Sequence, residues 1–421
     1  MSSAIGKTVL PNGLRVISER ITSIRSIAIG VWVDVGSRNE LPSESGLSHL
    51  IEHMHFKGTR NRSAARIAND IEELGGALNA FTTREHTCYY ARVLDEHLPQ
   101  AVDVLTDILL NSTYSANSIK REKQVVLEEI KESEDTPSDR IHDLFAGQFW
   151  GKHPLAHSIL GDKKTIAGLQ RSTLLNYIGR HYNTRNIVVT ASGNLKHDTL
   201  VKLIRKSFRL RSGERSVALP AAPPRRPSHR IYEKDIAQTH MTLGFPSLNF
   251  NDPRKFALLG LNFYLGGGMS STLFQEVRER RGLAYSIYSF QDFYRDTGAF
   301  GVCLSADAKN IPLALDLIRK QLRRVCVRPV SAERIDKIKA QIKGSLTFSM
   351  ESASGRMNRL ARLELMTGHN TTLRESFRAV ERITAADLLE VAREVFDEQR
   401  LVAVALGPVT QAQLADLPQA A

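Results

Sequence analysis

The feature that most restricts how this chain can fold is that its second half repeats its first. SANSIKREKQVVLEEIKESEDTPSDR, starting at Ser115, aligns without a gap on SAERIDKIKAQIKGSLTFSMESASGR, starting at Ser331. Ser-Ala opens both, and Arg140 meets Arg356. Upstream, LPQAVDVLTDIL (98–109) matches IPLALDLIRKQL (311–322), with Pro99 on Pro312 and Asp103 on Asp316. Earlier still, GLSHLIEHM (46–54) lines up with GMSSTLFQE (268–276). Self-similarity on this scale means one αβ unit folded twice. A chain of 421 residues needs more than one core in any case. The expected fold is α+β: two similar domains, each a sheet with helices packed mainly on one face. They span 1–210 and 231–421. RSGERSVALPAAPPRRPSHR (211–230), rich in Pro, Arg and Ser, is the expected linker.

Local patterns fill in the first copy. Asn12-Gly13 between two apolar runs predicts a hairpin. SIAIGVWVDVGS predicts a strand with one face buried. GGALNAFTTREHTCYYARVL, rich in Thr, Tyr, Phe and Val, predicts two more strands. NIVVTASGNL (186–195) is a strand ending in a turn. Helical periodicity runs over 64–74, 96–110, 116–134 and 198–208.

Chemistry concentrates in GLSHLIEHMHFKGT (46–59), where His49, Glu52 and His53 spell H-x-x-E-H. Leu47, Leu50, Ile51 and Met54 recur at helical spacing, with Ser45 as N-cap and Gly58 as stop. The histidines lie one turn apart on the opposite face, so both imidazoles can hold one zinc ion. This is the zincin motif reversed. Equally, a surface helix can carry His and Glu on its polar face by chance. Catalytic zinc takes three protein ligands, so a third is needed. Glu122 and Glu129, two turns apart on one predicted helix, are candidates for a ligand and a supporting acid; an exposed acidic face is the alternative. In the second copy, His49, Glu52, His53 and Glu129 fall on Ser271, Phe274, Gln275 and Ser345, which leaves that half metal-free.

Composition narrows the class further. With 42% hydrophobic and 24% charged residues, the chain reads as soluble and globular. No apolar run reaches membrane-spanning length, and the N-terminus lacks a secretory or transit pattern. The bacterial cytoplasm, or a mature organellar chain, is the expected location. Cys88, Cys303 and Cys326 form no C-x-x-C pair and read as small buried residues. A net charge of +12 raises nucleic acid as a partner, but the cations are scattered and no recognition motif accompanies them. His142, His153 and His157 read as capping or surface residues.

HLIEHMHFKGT (49–59), ELGGALNAFTTREHTCYY (73–90), EKQVVLEEIKESEDTPSDR (122–140) and LGGGMSSTLFQEVRERRGLAYSIYS (265–289) together resemble the pitrilysin-type inverted-motif zinc peptidases. The branch is that of mitochondrial processing peptidase and its bacterial relatives. The resemblance covers nearly the whole chain. It implies a zinc metalloendopeptidase with one Zn²⁺ per chain, held by His49, His53 and Glu129 and supported by Glu122. Glu52 would be the general base. Arg278 and Tyr285, from the metal-free half, would anchor substrate and hydrogen-bond near the oxyanion. Asn79 and Ala80 would lie on the strand whose edge pairs with substrate backbone. Substrates would be peptides or unfolded segments, taken into a chamber between the halves. The working form would be a homodimer, or a heterodimer with a related metal-free chain, without nucleic acid or a membrane span. His55 stands where relatives more often carry an apolar residue and is not assigned as a ligand. LGGGMSS is too short to be the glycine-rich loop of the non-catalytic subunit, so the chain resembles the catalytic type. The alternatives are a non-catalytic structural subunit and a subunit active only with a second chain.

Overall fold

A computed structural model describes residues 5–210, 212–214, 222, 227–415 and 417. In order the elements are β1 (Ile5–Val9), β2 (Arg15–Arg20), β3 (Ser26–Val33), α1 (Leu47–His55), α2 (Ala64–Glu72), β4 (Ala77–Thr82), β5 (Thr87–Leu94), α3 (Leu98–Asn111), α4 (Ala116–Asp135), α5 (Pro137–Trp150), α6 (Lys163–Gly168), α7 (Arg171–His181), β6 (Ile187–Gly193) and α8 (His197–Ser207). The second half continues with β7 (Ser228–Tyr232), β8 (Thr239–Ser247), α9 (Lys255–Leu265), β9 (Ser286–Phe293), β10 (Gly298–Ala306), α10 (Ile311–Val327), α11 (Ala332–Ser349), α12 (Ala353–Thr367), α13 (Leu373–Glu381), α14 (Ala385–Val395) and β11 (Val402–Leu406). A π-helical turn, Phe274–Glu279, lies between α9 and β9. Most of the expected linker at 211–230 lies outside the described residues; its last residues, from Ser228, already belong to β7.

The first sheet has the order β1-β2-β6-β3-β5-β4 and the second β7-β11-β8-β10-β9. In each, one pair is parallel, β2 with β6 and β7 with β11; the other pairs are antiparallel. Setting β2-β6-β3-β5-β4 against β7-β11-β8-β10-β9 reproduces both chain order and strand direction. The duplication read from the helices therefore extends to the sheets. Helix packing corrects one part of that alignment. α1 packs on β4 as α9 packs on β9, while α2 and the π-helical turn occupy matching places against α3 and α10. The counterpart of α1 is thus α9, KFALLGLNFYL, which holds neither His nor carboxylate. Ser271, Phe274 and Gln275 are not positional equivalents of His49, Glu52 and His53. A nine-residue match between amphipathic segments slid by one helix.

The chain divides by contact into two compact units, and the division is not a single cut. One unit takes Met1–Glu132, His157–Leu219 and Phe348–Asn370; the other takes Ser133–Ala156, Pro220–Thr347 and Thr371–Ala421. The helices α5 and α12, equivalent in the repeat, are therefore exchanged. Each unit keeps most of its helices on one face of its sheet and covers the opposite face with the helix contributed by the other half of the sequence. In the first unit, Ile27, Ile29, Val31 and Val33 of β3 face the main core. Ala28 and Trp32, on the other face, pack with Met357, Leu360 and Ala361 of α12. Both faces of β3 are thus buried, where the sequence predicted one. Gly30 permits this approach, since a Cβ there would lie 3.0 Å from the Met357 sulfur. In the second unit the equivalent Gly244 of β8 lies under the Phe145 ring of α5, which a Cβ would overlap. Ion pairs to buried carboxylates add direction to α12: Glu364 meets Lys7 at 2.7 Å and Arg15 at 3.3 Å, and Arg356 meets Glu19 at 2.5 Å.

Candidate metal centre

The first unit carries the H-x-x-E-H helix. In α1 the side chains of Leu47, Leu50, Ile51 and Met54 are buried in the main core, which turns His49, Glu52 and His53 to the opposite, part-open face. The N-cap is Gly46, in the left-handed region at φ 85°, rather than Ser45, and the helix closes at Phe56, before Gly58. In α4, Glu122 takes a place in the buried stripe of Ile119, Val126 and Ile130, and Glu129 lies beside that stripe, part-exposed.

These two helices bring His49, His53 and Glu129 together, with one ligand atom of each within 4.8 Å of the others. His49 Nε2 lies 3.8 Å from Glu129 Oε2, and His53 Nε2 lies 3.7 Å from Glu129 Oε1. Both distances are too long for hydrogen bonds. They suit groups that share an ion: tetrahedral ligands with bonds of about 2.0–2.1 Å sit about 3.4 Å apart. Glu129 Oε2 is buried with no hydrogen-bond donor, a costly state for a carboxylate oxygen unless a cation supplies the partner. Two imidazoles and a carboxylate form the His₂Glu donor set of catalytic zinc. The residues present therefore fit a zinc ion.

The surrounding groups set the protonation states. Glu122 Oε2 lies 3.3 Å from His53 Nδ1, and its other oxygen lies 3.0 Å from Lys57 Nζ. A hydrogen bond from Nδ1–H to Glu122 leaves Nε2 as the free lone pair, facing Glu129. Burial, reinforced by the neighbouring His53, holds the His49 imidazole down to about 4, so it too offers a lone pair. Glu52 points its carboxylate at Thr82 on β4, whose hydroxyl donates to Oε2 at 2.5 Å. Burial raises the Glu52 carboxyl above its ordinary range, against the pull of that hydroxyl and of His53. A carboxylate raised in this way is suited to exchanging protons.

The other residues singled out in the sequence take varied places. Asn79 and Ala80 lie on β4, the edge strand, paired with Tyr90 and Tyr89 of β5. Asn79 Oδ1 accepts the Ala80 amide at 2.8 Å. His55 turns into the core, where Tyr114 Oη sits 2.9 Å from its Nε2 and the rings of Tyr89 and Tyr182 flank it. Arg278 and Tyr285 belong to the second unit. The Arg278 guanidinium lies 4.9 Å from the Phe274 ring centroid and 5.9 Å from that of Tyr285. Tyr285 is 72% exposed and so is no core aromatic. Also in the second unit, His142 Nε2 meets Tyr288 Oη at 2.8 Å, and the buried His153 accepts the Leu155 amide. Among the described residues, His49, His53 and Glu129 are the one group of this kind able to hold a metal.

Sequence reasoning missed Thr82 and Lys57. Lys57 follows His53 at the same four-residue step that separates the two histidines, so spacing could have flagged it. Thr82 had no such signal, because a lone threonine in a strand is ordinary.

Comparison with known proteins agrees with this architecture. Residues 15–163 match the family described as Insulinase (Peptidase family M16), and residues 168–342 match the Peptidase M16 inactive domain. An uncharacterized zinc protease of Streptomyces coelicolor is 38% identical over 99% of this chain and 92% of its own length. The uncharacterized zinc protease YmxG of Bacillus subtilis is also 38% identical, over 93% of this chain and 96% of its own. Among solved structures, a protease from Helicobacter pylori shares the fold with a TM-score of 0.90 at 23% identity, covering 97% of this chain and 100% of that one. With both halves matched in order and near-complete relatives at this identity, the chain belongs to peptidase family M16.

Proposed function

We propose that this protein is a zinc metalloendopeptidase that cleaves peptides or unfolded protein segments. The observation that carries the reading is the convergence of His49, His53 and Glu129, a carboxylate whose buried, donorless Oε2 faces His49 and whose Oε1 faces His53. The zinc proteases among its relatives support the same class. One zinc ion held by those three side chains would supply a Lewis acid to polarise the scissile carbonyl and to acidify water.

The chain's own residues do the rest. Glu52 takes the proton of the attacking water and passes it to the leaving amine. Thr82 holds Oε2 of Glu52, which fixes the carboxylate's orientation. Glu122 fixes the His53 ring, and Lys57 balances the charge of Glu122. The outer edge of β4 at Asn79 and Ala80 binds substrate backbone as an added strand. Roles for Arg278 and Tyr285 in anchoring substrate and stabilising the oxyanion rest on the family resemblance, as does a dimeric working form; the bacterial relatives support placing the protein in a bacterium, with the cytoplasm as the proposed compartment. Among the described residues no helix is long and apolar enough to cross a membrane.

The test is mass-spectrometric mapping of cleavage in a mixed peptide library, with and without chelator, for wild type and Glu52→Gln. Internal cuts that vanish on chelation and in the variant are expected. Cleavage that persists in Glu52→Gln removes the assigned base. A protein that cuts nothing, alone or mixed with a related chain, would be a structural subunit instead.

A further inference from the structure

Glu40 takes no part in the chemistry above, yet it is a nearly fully buried carboxylate, 3% exposed. Both its oxygens are used at the start of α1: one accepts the Gly46 amide at 2.8 Å, the other the Ser48 amide at 2.7 Å. Amides at a helix start have no partner inside the helix, and one short polar side chain at the N-cap usually serves them. Here the N-cap is glycine and offers no side chain. The glycine is needed for close approach as well as for its positive φ. A Cβ on Gly46 would lie 2.6 Å from the Leu160 carbonyl oxygen, and one on Gly161 would lie 2.5 Å from that of Ser45. A third contact pairs Ser48 Oγ with Tyr177 Oη at 2.9 Å. The first turn of α1 is thus fixed by a carboxylate, a backbone contact and a hydroxyl pair, and His49 is the next residue after Ser48.

A helix that needed only a cap could use an exposed hydroxyl. Burial pushes the Glu40 carboxyl up to about 8 despite the Ser48 and Gly46 hydrogen bonds, so this acid is kept at a cost in stability, and the clamp serves a position that must be held closely. Metal ligands are such positions, since their distances tolerate only about 0.2 Å. We propose that Glu40 is a positioning residue for the metal centre: by gripping the Gly46 and Ser48 amides it holds the His49 imidazole in register with Glu129. This inference rests on the assignment of His49, His53 and Glu129 as the zinc site.

The experiment measures zinc affinity of the purified full chain by competition with a chromophoric chelator, and the visible spectrum of the cobalt(II)-loaded protein. Glu40→Ala removes both acceptors and should weaken zinc about 10–100-fold, the usual effect of losing a group that orients a ligand, and should alter the cobalt bands. Glu40→Gln keeps one acceptor, should lose less, and carries the test if Ala fails to fold. Glu364→Gln, which breaks the ion pairs of α12 with Lys7 and Arg15, should lower thermal stability and leave zinc affinity unchanged. Wild-type affinity and cobalt spectrum in the Glu40 variants would overturn the inference while leaving the zinc site standing. A wild-type chain that binds no zinc would overturn the site assignment and this inference with it.

Discussion

Replacing Glu122 tests how the metal centre is held. Its side chain is 8% exposed, with one oxygen 3.3 Å from His53 Nδ1 and the other 3.0 Å from Lys57 Nζ. Glu122→Ala removes the acceptor beside His53 Nδ1 and leaves the Lys57 ammonium unpaired close to the proposed zinc position. A hydrogen bond to a charged acceptor contributes about 1.5–3 kcal/mol, which corresponds to about 10–100-fold in zinc affinity. The added repulsion from Lys57 places the expected loss toward the upper end. Glu122→Gln differs informatively. Its amide oxygen can still accept from His53, so only the ion pair with Lys57 is lost. Lys57 is 37% exposed, and solvent-screened pairs of this kind contribute about 0.2–1 kcal/mol, so Gln should weaken zinc by no more than about 5-fold. Chelator competition at fixed pH and ionic strength, with unfolding curves of each apo-protein as controls, measures both. A Glu122→Ala protein whose zinc affinity stays within twofold of wild type would refute the argument that this carboxylate orients His53.

Other consequences follow from particular contacts. Gly244→Ala forces a methyl into the Phe145 ring and should cost about 1–3 kcal/mol in urea unfolding; an unchanged midpoint would contradict the close packing of α5. Burial holds His55 down to about 3, below its ordinary 6.5. Stability from its neutral form is therefore complete above pH 6.5 and is lost as pH falls toward about 3. One such group costs about 2 kcal/mol between pH 6.5 and about pH 5. His55→Phe should flatten that acid limb, and parallel curves for the two proteins would exclude His55 as its source. Tyr285→Phe changes a 72% exposed side chain, so unfolding should shift by less than about 0.5 kcal/mol. If Tyr285 stabilises the oxyanion, kcat on a cleaved peptide should fall about 100-fold or more; an unchanged kcat would remove that role.

The fold and the site were legible in the sequence to different depths. The apolar stripe of α1 showed which face was core and which face was left for His49 and His53. Spacing placed Glu122 and Glu129 on one side of α4. It could not show that Glu122 lies in the buried stripe with Ile119 and Val126, because a carboxylate between apolar residues looks the same whether it faces solvent or a partner. Glu40, nine residues before His49 and set among loops, gave no periodic signal. The exchange of α5 and α12 was also hidden. An amphipathic helix records that it must cover something apolar, not which sheet it covers, and nothing in the sequence marks Gly30 and Gly244 as the points where those helices approach. The slip that set 46–54 against 268–276 has the same origin, since short amphipathic segments match one another readily when displaced by one helix.

In the proposed site, His49, His53 and Glu129 grip one zinc ion. Crystals of the zinc-loaded protein, measured at the zinc absorption edge, test it most directly. A single anomalous peak is expected within about 2.0–2.2 Å of Nε2 of both histidines and of a Glu129 oxygen. Glu129 turned away from the imidazoles, or a peak held by other side chains, would contradict it.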